Sequence, residues 1–260
     1  MFPVIRVGGL SLSTYVLTAV LACAVFWATF AFALKKDVPG GKRFLLPPAV
    51  ILSALVGARL LHAALNPNRY GPNYPVWALR YERLCLMGGL VLGMLMLYAL
   101  CRELDLPFYR IADGLTPGAG LTLGMLKIGC FLNGCCGGKP TASPLGVVFP
   151  AREAIYDLLN TPEAARRVWP VQLFECAAYL IGIAALLGFA RKKRLPDGAR
   201  FLVYAVYVTA VRLCLHPLRE TTLTAVTANI VYPAFYLTVL AAAAILLIRR
   251  FRERKNSTSD

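Results

Sequence analysis

Three cysteines, Cys130, Cys135 and Cys136, lie within the stretch GCFLNGCCGG. Thiols this close together have four ordinary explanations: tight packing, a disulfide, a reactive thiolate beside the basic Lys127, or a soft-metal site. The spacing C-x4-CC matches no standard zinc motif such as C-x2-C. A metal is therefore the least favoured of the four, and we expect no bound metal and no cofactor.

Four charged residues lie inside apolar segments, where charge is costly and usually marks a function or an internal partner. They are Arg59, Lys127, Arg212 and Glu175, and Gln172 precedes the acid by about one helical turn. A single arginine near the end of a membrane span can extend its charge to the membrane surface. This explanation is weaker for Arg59, Lys127 and Arg212 together, because all three lie at a similar depth in different segments. Because arginine binds phosphate oxygens in pairs and lysine adds a point charge, the set predicts a phosphate-binding cavity.

Two further residues extend this group along the chain. His216 follows Arg212 by four residues, which places both on one face of a helix, and Arg219 comes after an intervening proline. His216 is the imidazole best placed to accept a proton near neutral pH. The alternative is a structural histidine paired with Glu175 or Glu220.

The composition indicates where these residues must lie. Of the 260 residues, 58% are hydrophobic and only 16% are charged, whereas about 25% are charged in a soluble domain. We therefore expect an all-α polytopic membrane protein.

In a soluble protein, a net charge of +15 would suggest a nucleic-acid partner. Here the basic residues cluster in short loops between apolar runs, so we expect no nucleic-acid partner.

Seven segments approach the roughly 20 apolar residues that a membrane helix needs. They are Leu10–Leu34, Phe44–Leu65, Leu84–Leu100, Ile111–Leu132, Pro170–Ala190, Phe201–Leu215 and Asn229–Ile248. We expect them to form a single transmembrane domain over residues 1–260.

The basic residues also predict the orientation of these helices. The loops after the first, third and fifth segments and the C-terminal tail hold sixteen Lys and Arg residues, against nine in the other connections. The positive-inside rule then places the C-terminus in the cytoplasm and the N-terminus outside. Residues 134–169 become an outer loop and residues 249–260 a basic cytoplasmic tail. The cavity is expected to open to the outer leaflet, where a phosphate is most simply a phospholipid headgroup.

Several motifs resemble, in order along the chain, the prolipoprotein diacylglyceryl transferase family. They are Tyr15, the G-x-R of Gly57 and Arg59, the paired Gly88 and Gly89, Asp113, LKIGCFLNGCCGG, GVVFP, the P-x-Q-L-aromatic-E run ending at Glu175, and the pair Arg212 and Arg219. Where this chain has LKIGCFLNGCCGG, the family has a pattern similar to GRIGNFINGE-x-x-G, so Asn133 and Gly138 are retained. We expect Asp113 to cap the fourth helix.

The chain departs from the family pattern at residues that would do chemistry. Met87 stands where the family has a histidine or tyrosine, and a thioether cannot usefully accept a proton. Lys127, Cys130 and Cys135 replace an arginine, an asparagine and a glutamate. His216 replaces a further glutamate. The phospholipid-binding part of the pattern is kept while its reactive part is changed.

The resemblance implies a multi-pass enzyme of the bacterial cytoplasmic membrane. It would move a diacylglyceryl group from phosphatidylglycerol, or another anionic phospholipid, to a lipobox cysteine or another protein or small-molecule acceptor. We assign catalytic roles to His216, Arg212, Lys127, Glu175, Cys130 and Cys135. The two cysteines belong to this set because the family reaction forms a carbon–sulfur bond, which would allow a covalent lipid–thiol intermediate. We assign phospholipid contacts to Arg59, Lys127, Arg212, Arg219, Tyr15, Asn133, Gly138 and Gln172.

Two other functions stay open at this stage. The same scaffold would serve a protein that binds or transports a lipid or solute without chemistry, which the loss of the usual histidine favours. The cysteines would also suit a membrane protein that handles thiol redox or metal.

Overall fold

The structure is a computed structural model of the chain. It describes residues 4–7, 10–38, 40–72, 75–77, 84–149, 167–192, 195–220 and 226–257. Within these residues, seven helices are long and apolar enough to cross a membrane. The prediction of an all-α polytopic membrane protein is therefore confirmed. The orientation of the helices and the single transmembrane domain stay predictions.

The seven helices are α1 Thr14–Ala33, α2 Lys42–Leu65, α3 Leu86–Glu103, α4 Phe108–Asn133, α5 Val171–Lys192, α6 Ala199–Leu215 and α7 Tyr232–Ser257. A 3-10 turn, His216–Leu218, extends α6, and a π-helical turn, Thr227–Val231, precedes α7. Two antiparallel strand pairs complete the described elements: β1 Val4–Val7 with β2 Leu10–Ser13, and β3 Val147–Val148 with β4 Arg167–Val168.

Some predicted boundaries are wrong, for local reasons. Residues Leu10–Ser13 pair with β1 instead of beginning the first helix, and the Gly-Gly that precedes them in the sequence is a hairpin signal. Asp113 does not cap the fourth helix, because α4 begins at Phe108 and holds Asp113 buried in its interior. Much of the predicted outer loop, residues 150–166, lies outside the described residues, as do residues 258–260 of the tail.

The described contacts divide the chain into two compact units, Phe26–Gly118 and the remainder. In the unit Phe26–Gly118, α2 and α3 approach until their backbones touch. A Cβ at Gly57 would collide with the carbonyl of Gly88, and a Cβ at Gly88 would collide with the carbonyl of Gly57. A Cβ at Gly89 would likewise lie 2.9 Å from the carbonyl oxygen of Ala54. Small residues at such spacing allow membrane helices to approach closely.

In the other unit, α5 and α6 are joined through aromatic hydroxyls. Tyr204 donates to the Tyr179 carbonyl at 3.1 Å and Tyr207 donates to the Ala178 carbonyl at 2.8 Å. Ile183 packs with Tyr204 in the apolar core between these helices. These contacts join the middle of α5 to the first half of α6, and so hold together the two helices that carry Glu175 and Arg212.

We predict that Gly57→Ala destabilises the protein, because the added methyl group meets backbone that cannot rotate away. The expected loss is about 1–3 kcal/mol of unfolding free energy, measured by denaturant titration in mixed micelles. Gly188→Ala is the matched control, because a Cβ at Gly188 in α5 meets nothing within 4 Å. Equal stability of Gly57→Ala and Gly188→Ala would contradict the close-contact explanation.

Candidate functional site

A fully buried carboxylate, Glu175, forms the centre of the candidate site. It lies in the second turn of α5 and is 0% exposed. Arg219 Nη1 donates to its Oε1 at 2.7 Å and Arg212 Nη1 donates to the same oxygen at 3.2 Å. Lys127 Nζ forms an ion pair with its Oε2 at 2.5 Å. Three cations from separate parts of the chain therefore meet at one acid.

The charge of this group is unbalanced. Three cations around one carboxylate carry a net charge of +2, and both Lys127 and Arg212 are buried. Buried charge is tolerated only when it is paired and hydrogen-bonded. The Lys127–Arg212–Arg219 group therefore favours the approach of an anion, and arginine and lysine are the side chains that bind phosphate oxygens.

Two tyrosines orient the charged side chains, and the sequence analysis missed both. Tyr236 of α7 accepts a hydrogen bond from Arg212 Nε at 3.1 Å, and the Arg212 guanidinium carbon lies 5.7 Å from the centre of its ring. The Tyr179 hydroxyl donates to Glu175 Oε1 at 3.5 Å. Tyr179 was detectable in the sequence, because it follows Glu175 by four residues on one helix face. Tyr236 had no such signal.

A short backbone bridge holds Arg219 in place. Gly138 pairs with Arg219, the Lys139 amide donates to the Leu218 carbonyl at 2.8 Å, and the Gly138 amide donates to the Trp169 carbonyl at 2.9 Å. A Cβ at Gly138 would lie 2.6 Å from both the Leu218 carbonyl oxygen and the Trp169 Cβ. Glycine is required there because two strands of backbone enclose it.

Gln172 lies beside the same bridge and retains an unused acceptor. It is 0% exposed, and its Nε2 donates to the Cys135 carbonyl at 2.7 Å. Among the described residues its Oε1 accepts no hydrogen bond. A buried acceptor of this kind is suited to a ligand hydroxyl.

The three cysteines of GCFLNGCCGG form a cluster at the C-terminal end of α4. Their Sγ atoms all lie within 4.8 Å of one another, and all three are free thiols. Gly134 and Cys136 have positive φ angles of 74° and 61°, so the chain turns back on itself after the helix. Cys130 is buried, Cys135 is half-buried and Cys136 is exposed.

The two cysteines beyond the helix differ in acidity. Hydrogen bonds from the thiols of Cys130 and Cys135 hold the pKa of Cys136 well below its usual range, and Lys127 and Arg219 add to the effect. A hydrogen bond from Cys130 lowers the pKa of Cys135, but the contact with Cys136 and burial outweigh it and raise the pKa to about 12. Cys136 is therefore the more acidic thiol of this pair, although the sequence analysis assigned no role to it.

Three other predicted site residues, Tyr15, Asn133 and His216, lie at the ends of helices. Tyr15 begins α1, and its ring lies beside Gly129, where a Cβ would be 3.6 Å from Cδ2. Asn133 is the last residue of α4. His216 keeps helical dihedral angles at the end of α6 and is half-buried.

Arg59 belongs to the other unit, Phe26–Gly118. Its Nε donates to the Val76 carbonyl at 2.7 Å and its guanidinium carbon lies 5.2 Å from the centre of the Tyr70 ring. Met87, which the sequence analysis compared with a family histidine, is buried in the same unit. A role for Arg59 in phospholipid binding stays a prediction.

The family model for prolipoprotein diacylglyceryl transferase matches residues 3–250. The chain belongs to this family. Phosphatidylglycerol–prolipoprotein diacylglyceryl transferases from three bacteria are similar to it. The Clostridium tetani protein is 26% identical over 65% of this chain and 65% of its own length. The protein from Bifidobacterium adolescentis is 28% identical over 64% and 53%, and that from Dehalococcoides mccartyi is 26% identical over 80% and 78%. The chain thus covers less than two thirds of the length of the first two relatives.

The family match covers Lys127, Glu175, Arg212 and Arg219 together with the cysteine cluster. The cation group and the thiol cluster are therefore parts of one family domain.

We predict that Glu175→Gln strongly destabilises the protein, because it leaves three cations without their common counter-charge. Breaking a buried ion pair by removing one partner costs roughly 3–5 kcal/mol, measured as the free energy of unfolding in mixed micelles. The control is Glu253→Gln, which removes an exposed partner of Arg250 and should cost less than about 1 kcal/mol. Unchanged stability in Glu175→Gln would show that the cations do not depend on this acid.

Proposed function

We propose that this protein is a phospholipid-dependent transferase that moves a diacylglyceryl group from phosphatidylglycerol to an acceptor thiol. The observation that carries the proposal is the group of Lys127, Arg212 and Arg219 around Glu175, which keeps a net positive charge. Membership of the prolipoprotein diacylglyceryl transferase family supports the same reaction.

The donor headgroup fits the cation group by charge and by hydrogen bonding. A phosphodiester carries one negative charge, which the surplus positive charge of the group accommodates. Arg212 donates hydrogen bonds to Tyr236 and Glu175, which fix the orientation of its guanidinium group before the donor binds. The glycerol of the headgroup carries hydroxyls. In this proposal one of them donates a hydrogen bond to the buried Gln172 Oε1, which accepts none from the described residues.

The reaction is a displacement at carbon. The acceptor sulfur attacks the diacylglyceryl carbon that bears the phosphate, a carbon–sulfur bond forms, and the carbon–oxygen bond to phosphate breaks. Glycerol phosphate leaves with the bonding electron pair, and the thiol proton passes to a base. Because negative charge increases on the leaving phosphate, preorganised cations stabilise the transition state more than the bound donor.

His216 is the base in this proposal. It lies one turn beyond Arg212, at the end of α6, and the usual family position is occupied by the buried Met87, which cannot accept a proton. In this proposal Cys130 and Cys135 line the part of the site where the acceptor thiol binds. Tyr15, Asn133, Gly138 and Arg59 contribute to the phospholipid site.

The acceptor is the lipobox cysteine of a prolipoprotein or another thiol-bearing protein or small molecule. The enzyme works in the bacterial cytoplasmic membrane, with its N-terminus outside, its C-terminus in the cytoplasm and its cavity open to the outer leaflet. The distribution of basic residues supports this orientation.

We predict that the purified protein releases glycerol phosphate from labelled phosphatidylglycerol when a lipobox peptide is added. Arg219→Gln should lower the rate by about 10²–10³-fold, the cost of removing one group that stabilises developing charge. Arg250→Gln is the matched control, because Arg250 pairs with Glu253 in an exposed position, and it should keep the full rate.

The outcomes of this assay separate the candidate functions. Release that needs the peptide supports a prolipoprotein acceptor, and release without it supports another acceptor. Absence of release in both detergent and native membranes would refute the transferase and leave lipid or solute binding or transport as the function.

We predict that His216→Gln lowers the rate of glycerol phosphate release by about 10²–10⁴-fold, the usual contribution of a positioned acid or base. His62→Gln is the control, because His62 is the other histidine of the chain and its Nδ1 contacts the Tyr70 hydroxyl at 2.7 Å. The rate should be measured with donor binding held at saturation. A full rate in His216→Gln would exclude this histidine as the base.

A further inference from the structure

The three thiols at the end of α4 have the spacing of ligands around one ion. With metal–sulfur bonds of about 2.3 Å, sulfurs that share an ion stand roughly 4 Å apart. The Sγ atoms of Cys130, Cys135 and Cys136 all lie within 4.8 Å of one another. Small movements of the side chains would therefore close the cluster around an ion.

The backbone that carries these thiols is fixed from several directions. The Cys135 amide donates to the Cys130 carbonyl at 3.0 Å, and the Cys135 carbonyl accepts from Gln172 Nε2 at 2.7 Å. Beyond Cys136, the Glu220 amide donates to the Gly137 carbonyl at 3.3 Å. The cluster is therefore anchored on both sides and does not depend on a free loop to bring the sulfurs together.

The donor set selects the class of ion. It consists of three thiols, and the described residues place no imidazole or carboxylate within the cluster. Thiolate ligands select soft ions such as Cu(I), whereas structural Zn(II) is almost always bound by four ligands. Three sulfurs thus favour a monovalent ion that accepts three-coordination.

The charge of the surroundings favours the same ion. Three thiolates around a monovalent cation form a complex with a net charge of −2. Lys127 and Arg219 act electrostatically on Cys136, and the cation group they belong to has a net charge of +2. An anionic metal–thiolate complex is therefore stabilised where a bare cation would be repelled.

We propose that Cys130, Cys135 and Cys136 bind one soft metal ion, with Cu(I) favoured over Zn(II). The exposed Cys136 provides the entry path. This site goes beyond the proposed transferase activity, with which it shares Cys130 and Cys135. It also departs from the sequence-based expectation of no metal, which rested on spacing along the chain and not on the positions of the sulfur atoms.

The test is a Cu(I) titration of the full chain in lipid nanodiscs, fully reduced and freed of metal, against a chromogenic Cu(I) chelator of known affinity. We expect one equivalent to bind, with a sulfur-to-copper charge-transfer absorption. Cys136→Ser and Cys135→Ser should each weaken binding by on the order of 100-fold, at least the cost of losing an outer-shell partner of a metal ligand. Cys214→Ser, at an exposed cysteine of α6, is the matched control and should bind as the unmodified protein does.

Cys136→Ser is the mildest variant, because Cys136 is the most exposed residue of the three, and its helicity and elution volume should match those of Cys214→Ser. Failure of the reduced protein to outcompete the chelator would overturn the proposal. So would equal binding by all the variants, a preference for Zn(II), or a disulfide among these cysteines in freshly isolated protein together with no copper binding. Measuring glycerol phosphate release on the same samples keeps failure of the metal site distinct from failure of the transferase.

Discussion

The site depends on the burial of one carboxylate among three cations. Glu175 has no exposure to water, so it needs Lys127, Arg212 and Arg219 to remain charged, and two of those cations are themselves buried. Each partner is supplied by a different segment of the chain, from α4, α6 and the residues beyond its 3-10 turn. Folding and the assembly of the charged group are therefore one process, because neither the acid nor the cations can be buried alone at acceptable cost.

Close contacts between helices also specify the packing within each of the two units. In one unit, Gly57 and Gly88 let two helices touch through their backbones. In the other, the tyrosine hydroxyls between α5 and α6 fix the helix that carries Glu175 relative to the helix that carries Arg212. Without a hydrophobic driving force between helices in lipid, such contacts and hydrogen bonds provide the specificity of packing.

The sequence predicted the membrane helices and the cations, because a charge inside an apolar run is conspicuous whatever the fold. It also placed Gln172 and Glu175 correctly on one helix. It could not predict Tyr236, whose contact with Arg212 joins residues 24 positions apart in sequence. The predicted start of the first helix is too early because Leu10–Ser13 adjoin a long apolar run, although their alternating Leu and Ser residues are typical of a strand. The grouping of three sulfurs was also beyond it, because positive φ angles at Gly134 and Cys136 decide the direction of the chain there.

The backbone bridge between Gly137–Lys139 and Leu218–Glu220 joins two sites that differ in chemistry. Cys136 directly precedes one side of the bridge, and Arg219 lies in the other. A ligand that draws the sulfurs together pulls on the same backbone that sets the distance between the Arg219 guanidinium and Glu175. If the proposed ion binds to the thiols, its binding would therefore change the binding of an anion at Arg219, with Gly138 as the link between the two sites.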